Sequence, residues 1–169
     1  MRYITFAIVL CIIFLNFISC SNSTGGVGDP PPHEEVLLSF VDEQGNDRLD
    51  PNHSSPFTEN NLEIYYLKDG KKERVFEGNL DYPKNFKLYI SEGEEHSKMM
   101  LWISNHVEED GYTKTLIEFP GGTTDTVTME PLNEHANSAK RLWYDGELVW
   151  MVDSDYTMPI EITKPVTAD

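Results

Sequence analysis

The chain has 169 residues, and its 13 basic residues are outnumbered by 29 acidic ones, which gives a formal net charge of −16 at pH 7. Nucleic acid and bare anionic lipid are therefore poor partners, because both carry the same sign of charge. No internal repeat or low-complexity domain is present, so the length suits one domain preceded by a processed N-terminal segment.

The first 19 residues have the order of a secretory signal peptide. Arg2 supplies a positive charge, and the segment from Ile4 to Ile18 is then almost continuously apolar. As a helix, this segment would span roughly 22 Å, which is short of the ~30 Å hydrocarbon core of a membrane. We therefore predict a cleaved signal peptide over residues 1–19 rather than a permanent transmembrane helix.

The residues Phe17-Ile18-Ser19-Cys20 resemble the lipobox of bacterial lipoproteins, in which a small residue precedes the cysteine that receives the lipid. Phe17 stands where that motif usually has Leu. The resemblance implies cleavage after Ser19 and acylation of Cys20. Ser21 follows where an inner-membrane retention signal would have Asp, so the implied location is the outer membrane. The resemblance is compatible with a position on the periplasmic face and with one on the cell surface. An ordinary signal peptide with a chance cysteine is the alternative.

Cleavage at this point would leave Cys20 as the single thiol of the mature chain, because Cys11 lies in the removed segment. A disulfide, a Cys-x-x-Cys redox site and a cysteine zinc cluster are then excluded. Loss of Arg2 leaves 12 basic against 29 acidic residues, a side-chain charge of −17. No cofactor is expected.

Residues 20–33 are predicted to be a flexible linker. Ser, Asn, Thr and Gly dominate this segment, and Val27 is the single aliphatic side chain among them. Such a segment cannot bury enough apolar surface to offset the entropy of ordering it. Pro30-Pro31-Pro32 favours an extended polyproline helix, so the linker would hold a folded domain clear of the membrane surface.

Strand signals dominate the rest of the chain, and we predict one domain over residues 34–164 with a short tail over 165–169. Segments rich in β-branched and aromatic residues alternate with clusters of turn formers, and Asp69-Gly70 and Asp145-Gly146 are typical of two-residue hairpin turns. Residues 132–139 are the only stretch that could hold a helix. The predicted strand segments are 36–41, 62–67, 74–76, 86–90, 99–103, 112–119, 123–129, 141–144, 147–152 and 159–164.

Nine or ten short strands with almost no helix predict an antiparallel β-sandwich, with an immunoglobulin-like version favoured. The run 99–103 is apolar at every position, which predicts a central strand or one buried on both faces. Several segments resemble small lipoproteins of Bacteroidetes-type bacteria, and this resemblance implies a β-sandwich with a membrane anchor but brings no catalytic residue. The segments are Phe40 to Asp47, Thr124 to Val127, Trp143 to Val149 and Ile160 to Lys164.

Oxygen ligands crowd the turn that follows the first predicted strand. Asp42, Asn46 and Asp50, together with Gln44, make a weak Ca²⁺ candidate, because Ca²⁺ takes six to eight oxygen ligands. The spacing is not that of an EF-hand, since His53 stands where the bidentate Glu would be. We favour an ordinary turn and predict no tight metal site.

The predicted hairpin around Asp145-Gly146 carries the candidate ligand-binding residues. With a regular two-residue turn, Arg141 would lie opposite Trp150, and Arg141, Trp143 and Trp150 would share one face. An exposed face of that kind could stack a sugar or a peptide. The alternative, which we favour, is that the tryptophans fill the core while Arg141 reaches solvent.

No catalytic motif is found. The histidines occur singly, mostly in predicted loops, and each is expected to be solvated; no Gly-x-Ser-x-Gly elbow is present. Acidic residues at 94–95 and 108–110 are common in loops, and only their separation in space would make them a hydrolytic pair. The five histidines are His33, His53, His96, His106 and His135.

The sequence therefore predicts a lipid-anchored, non-catalytic binding or accessory module for a glycan, a peptide or a protein partner. Two alternatives from other classes stay open. One is a structural subunit of a surface assembly, and the other is a hydrolase whose carboxylates meet only in space.

Overall fold

The computed structural model describes residues 35–90, 96–133, 136, 138–155 and 158–166. The predicted signal peptide, Cys20 and the predicted linker lie outside these residues. Ten β-strands and no helix are found in the described part of the chain, and hence no helix there is long and apolar enough to cross a membrane.

The strands agree in number and order with the segments predicted from sequence, and most of their bounds differ by one or two residues. Within the stretch 132–139, Ala139 is the first residue of a strand, and the other described residues form a bend instead of a helix, in which the Leu132 N–H donates to the Ser138 carbonyl at 2.8 Å. The strands are β1 (Glu35–Val41), β2 (Glu63–Lys68), β3 (Lys71–Arg74), β4 (Phe86–Tyr89), β5 (Lys98–Trp102), β6 (Thr113–Glu118), β7 (Thr124–Pro131), β8 (Ala139–Tyr144), β9 (Glu147–Met151) and β10 (Ile160–Thr163).

The strands form two sheets that pack into a β-sandwich. One sheet has four strands in the order β10-β1-β5-β4, and the other has six in the order β3-β2-β6-β7-β8-β9. All described pairs are antiparallel except β1 with β10, which is parallel. Both sheets contribute fully buried side chains to one core, among them Leu38, Met99, Ile117 and Leu142. The predicted all-β, antiparallel sandwich is confirmed.

The strand order differs from the immunoglobulin arrangement that the sequence favoured. In that arrangement the first strand pairs with the second. Here β1 pairs with β5 and β10, while β2 pairs with β3 and β6. The prediction of a central strand for 99–103 is confirmed, because β5 lies between β1 and β4.

Both predicted hairpin turns are present. Asp69 and Gly70 have φ angles of 51° and 72°, and Asp145 and Gly146 have φ angles of 47° and 83°. Two consecutive residues with positive φ are the requirement of a type I′ turn, whose twist matches that of the flanking strands. Aspartate and glycine tolerate this conformation better than most residues, which is why the turns are readable in the sequence.

A buried arginine attaches the end of β10 to the loop that follows β1. Arg48 is 3% exposed, and its guanidinium donates to the carbonyls of Ser55, Lys164 and Pro165 at 3.0, 3.0 and 3.1 Å. The guanidinium carbon lies 4.1 Å from the centre of the Phe57 ring. Burial lowers the pKa of Arg48 from its usual value, and the charge of a nearby carboxylate opposes this shift. The carbonyl bonds compensate for removing the charge from water.

Candidate functional site

A concave cleft of about 560 Å³ opens where the connection between β3 and β4 passes the ends of β2 and β5. We call it the aromatic cleft, because Tyr66, Tyr82 and Trp102 line it. Its volume lies within the range of roughly 300 to 1,000 Å³ that is typical of sites for small ligands. Clefts of this size are the usual sites of ligand binding in proteins.

The wall of the aromatic cleft is a stacked pair of rings. Tyr82, in the β3–β4 connection, lies against Trp102 at the end of β5, with ring centroids 5.7 Å apart and an interplanar angle of 24°. The indole Nε1 of Trp102 donates to Glu35 Oε1 at 2.9 Å, which fixes the orientation of the ring. Offset stacking of this kind is favourable, so the pair holds a loop residue in place over a strand.

A hydrogen-bond network fixes the base of the cleft. The Asn85 Nδ2 donates to the Tyr66 hydroxyl at 3.0 Å, and that hydroxyl donates to the Trp102 carbonyl at 3.0 Å. The Trp102 N–H in turn donates to the Asn85 carbonyl at 3.0 Å. Tyr66 in β2, Trp102 in β5 and Asn85, which precedes β4, are thereby held to one another. The cleft is therefore already formed without a ligand.

Polar side chains complete the lining. Lys68, Glu77, Asp81 and Asn105 all border the aromatic cleft. Lys68 forms an exposed ion pair with Glu73 at 3.0 Å. Among the described residues, the carboxylates of Glu77 and Asp81 have no hydrogen-bond or ion-pair partner, so their oxygens are available to a ligand. An apolar wall with a few hydrogen-bonding groups is the usual composition of a ligand site.

A bulge separates the tryptophans predicted to share one face of the β8–β9 hairpin. Trp143 pairs with Leu148 as expected, but Leu142 pairs with Trp150, so Val149 is an extra residue in β9. An extra residue reverses the alternation of side chains beyond it. Trp150 is consequently 7% exposed and belongs to the core. The prediction of a shared face is therefore wrong for Trp150. The favoured alternative, in which the tryptophans fill the core, is confirmed for Trp150 but not for Trp143, which is half-buried.

Arg141 and Trp143 remain on the outer face of the six-stranded sheet. Trp143 is half-buried and meets Tyr112 edge to face, with ring centroids 5.6 Å apart at 82°. Arg141, now opposite Met151, has its Nε 3.2 Å from Glu130 Oε2. Both side chains are thus engaged by neighbours on an open sheet surface. Their predicted role in ligand binding stays a prediction.

The turn after β1 uses its oxygens internally. Asp42 Oδ1 accepts from the N–H groups of Gln44 and Asn46 at 2.9 and 2.8 Å. Asp42 Oδ2 accepts from Asn46 Nδ2 at 2.8 Å and contacts His53 Nε2 at 3.2 Å. The Asn46 side-chain bond is the largest cause that holds the pKa of Asp42 well below its usual range. Both oxygens of the Asp42 carboxylate are therefore already engaged by neighbouring residues.

The third candidate calcium ligand is also engaged. Asp50 Oδ1 accepts from the backbone and side-chain nitrogens of Asn52 at 2.8 and 2.9 Å. No three His, Cys, Asp or Glu side chains among the described residues are grouped so that they could hold a metal ion. Asp42, Asn46 and Asp50 act as turn residues here, and the absence of a tight calcium site stays a prediction.

Each of the three described histidines lies against a carboxylate, whereas His33 and His135 lie outside the described residues. His96 Nδ1 is 3.3 Å from Glu161, and His106 Nε2 is 3.2 Å from Asp69. The side chain of His53 is only 7% exposed, which departs from the expectation of a solvated loop residue. Its Nδ1 accepts the Ser55 N–H at 3.0 Å, so the ring proton lies on Nε2 and faces Asp42.

The acidic segment 108–110 stabilises turns and does not form a pair. The Glu108 carboxylate accepts the N–H groups of Asp69 and Gly70, both at 2.9 Å, which clamps the β2–β3 hairpin turn. Asp110 pairs with Lys114 at 2.5 Å, and that hydrogen bond is the main cause that lowers the pKa of Asp110. The other acidic segment, residues 94–95, lies outside the described residues.

The aromatic cleft was not found from the sequence, because its members come from segments up to 39 residues apart, and no short motif connects Tyr66, Tyr82 and Trp102. One weak signal in the sequence could have pointed to it. Tyr82 is an aromatic residue in a predominantly polar loop, outside every predicted strand, so the sequence assigns it no place in the core. No protein-family model matches the chain, and neither a curated protein nor a solved structure matches it.

Proposed function

We propose that this chain is a lipid-anchored, non-catalytic binding module of a bacterial outer membrane that holds a neutral glycan in the aromatic cleft. The observation that carries the proposal is the stacked pair of Tyr82 and Trp102 beside Glu77 and Asp81, whose carboxylates have no partner among the residues that the structure describes. Anchoring follows from the lipobox resemblance at Cys20, and the linker over residues 20–33 would give the domain its reach.

The chemistry of the lining suits a sugar. A pyranose ring has apolar C–H faces and a rim of hydroxyl groups. Aromatic rings pack against the faces, and carboxylate and amide groups exchange hydrogen bonds with the rim. The aromatic cleft combines both, with Tyr82 and Trp102 as the apolar wall and Glu77, Asp81 and Asn105 as the polar groups.

The charge of the cleft favours a neutral ligand. Of the described residues that line the cleft, one is basic, Lys68, and two are acidic, Glu77 and Asp81. The whole chain carries a formal charge of −16. An acidic polysaccharide would meet repulsion both at long range and inside the cleft, whereas a neutral one would not.

A glycan array probed with the full chain, purified in detergent, tests this proposal. We expect binding to at least one neutral oligosaccharide, and we expect Tyr82→Ala to remove it. The matched control is Tyr89→Ala, because Tyr89 is an exposed tyrosine outside the cleft lining. Binding that survives Tyr82→Ala, or binding to acidic glycans or peptides alone, would contradict the proposal.

The hydrolase alternative has one observation in its favour, since two carboxyl groups line the same cleft. Glycoside hydrolysis needs such a pair at a defined separation. Incubating the full chain with each oligosaccharide that binds, and separating the products by chromatography, distinguishes the two functions. A binding module leaves the oligosaccharide intact, whereas an enzyme shortens it in a reaction that Glu77→Gln or Asp81→Asn abolishes.

The structural-subunit alternative gains little support from the sheet edges. The edge strand β3 carries four exposed charged residues, Lys71 to Arg74, and charged edges resist pairing with another chain. The C-terminal strand β10 is used within its own chain, because it pairs with β1 along four residues. Size-exclusion chromatography that gives only monomer would agree with the binding module.

A further inference from the structure

A second recess of about 280 Å³ shares two residues with the aromatic cleft. Asp81 and Tyr82 line both concavities. The second recess also contains Phe76, with Glu59 and Asn60 as polar neighbours. The two recesses are therefore adjacent, and the same tyrosine borders both.

The aromatic ring of the second recess is open to solvent. Phe76 is 55% exposed, and no large hydrophobic side chain in the described part of the chain is more exposed. The guanidinium carbon of Arg74 lies 5.4 Å from the centre of this ring. An exposed aromatic ring next to a ligand cleft is a surface on which a ligand can gain contact area.

The connection that carries Phe76 and Tyr82 is closed by its own hydrogen bonds. The Glu77 N–H donates to the Pro83 carbonyl at 2.7 Å, and the Leu80 N–H donates to the Glu77 carbonyl at 3.0 Å. Lys84 Nζ donates to the carbonyls of Glu59 and Leu62 at 2.8 and 2.9 Å. These bonds fix the loop between the two recesses, so little ordering remains to oppose binding.

We infer that the two recesses are consecutive subsites for one oligosaccharide chain, which passes Tyr82 and places a further sugar residue against Phe76. This inference rests on the proposed function and adds the length of the ligand to it. A disaccharide would occupy the aromatic cleft alone. A longer neutral chain would reach Phe76 as well, and the added aromatic contact makes its binding roughly tenfold tighter.

Isothermal titration of the full chain in detergent with a length series tests the inference. The probes are cello-, xylo-, malto- and mannooligosaccharides of two to six residues. In the series that binds, we expect affinity to rise with length, and we expect Phe76→Ala to remove most of this rise while leaving the disaccharide affinity unchanged. The matched control is Leu132→Ala, because Leu132 is 52% exposed and lies outside both recesses.

The possible outcomes separate the inference from the function beneath it. A series that binds with the same affinity at every length, or a rise with length that Phe76→Ala does not change, would overturn the second subsite and leave the glycan-binding function standing. Loss of all lengths in Tyr82→Ala, with the rise lost only in Phe76→Ala, is the result that supports both. If none of the four series binds, the proposed function is contradicted and the second subsite with it.

Discussion

Lys164 Nζ lies 2.6 Å from Asp125 Oδ1, and this ion pair joins the residue after β10 to β7 in the opposite sheet. The side chains of Lys164 and Asp125 are only 17% and 5% exposed. The other Asp125 oxygen accepts a hydrogen bond from the Tyr144 hydroxyl. Burial, aided by the Asp125 charge, raises the pKa of Tyr144 above its usual range, so the hydroxyl keeps its proton and remains a donor.

We expect Lys164→Met to lower the free energy of unfolding by about 3 to 5 kcal/mol, because it leaves the Asp125 charge buried without its cation. The matched control is Lys140→Met. Lys140 pairs with Glu130 at 2.7 Å but is 42% exposed, so its loss should cost at most about 1 kcal/mol. Urea denaturation at pH 7 measures both changes. Equal small losses would show that the ion pair between the sheets contributes no more to the free energy of unfolding than an exposed pair does.

The two tryptophans of the β8–β9 hairpin should differ in their contribution to stability. Trp150→Ala empties part of the core and should cost about 3 to 5 kcal/mol. Trp143→Ala removes a half-buried ring and its edge-to-face contact with Tyr112, and should cost about 1 kcal/mol. Urea denaturation compares the two variants. A larger loss for Trp143→Ala would contradict the bulge that places Trp150 in the core.

The strands and turns were predictable because their signals are local. Asp69-Gly70 and Asp145-Gly146 need left-handed backbone angles, and these residue types are the ones that accept such angles. Alternation of apolar residues then places the flanking strands. The bulge at Val149 was not predictable, because whether an extra residue is inserted depends on packing across the sheet and not on the hairpin itself.

The candidate site was not predictable, since it depends on contacts between distant segments. The contact between Tyr82 and Trp102 joins the β3–β4 connection to the end of β5, beside the pairing of β4 with β5. The parallel pairing of β10 with β1 joins the two ends of the described chain, and no local sequence pattern predicts such a pairing. The short spacing between Trp143 and Trp150 predicts a shared hairpin face, whereas Trp102 lies in an apolar strand with no other tryptophan nearby in the sequence.

Acid should weaken the fold through Asp42. Because the pKa of Asp42 in the folded chain lies below its ordinary value of 3.8, ionised Asp42 contributes stability above about pH 4. This contribution is lost as the pH falls toward the folded pKa, because the unfolded chain takes up the proton first. We expect Asp42→Asn to be less stable than the natural chain at pH 7, and the difference to shrink below pH 4.

Urea denaturation at a series of pH values between 7 and 3 measures this effect. Asn46→Ala serves as a second variant, because it removes the side-chain hydrogen bond that is the largest cause of the low pKa of Asp42. Like Asp42→Asn, it should make the free energy of unfolding depend less on pH in this range. A difference between Asp42→Asn and the natural chain that is the same at pH 7 and pH 3 would contradict the role given to this carboxylate.

Cys20 should determine where the protein resides. We expect Cys20→Ala to prevent incorporation of radiolabelled fatty acid and to remove the protein from the outer-membrane fraction, because a lipid is the anchor that the lipobox resemblance implies. Ser21→Ala is the matched control and should keep both properties. Persistence of labelling and of membrane association in Cys20→Ala would overturn the anchor.

The most direct test of the proposed glycan site uses the three tryptophans as reporters, since each lies in a different environment. Trp102 borders the aromatic cleft, Trp143 lies on the outer face of the six-stranded sheet, and Trp150 is in the core. The measurement is the set of indole N–H signals in an ¹⁵N spectrum of the full chain during titration with an oligosaccharide that binds. We predict that the Trp102 signal shifts while those of Trp143 and Trp150 stay in place. A shift of the Trp143 signal with Trp102 unchanged would contradict the cleft and return the ligand to the hairpin face.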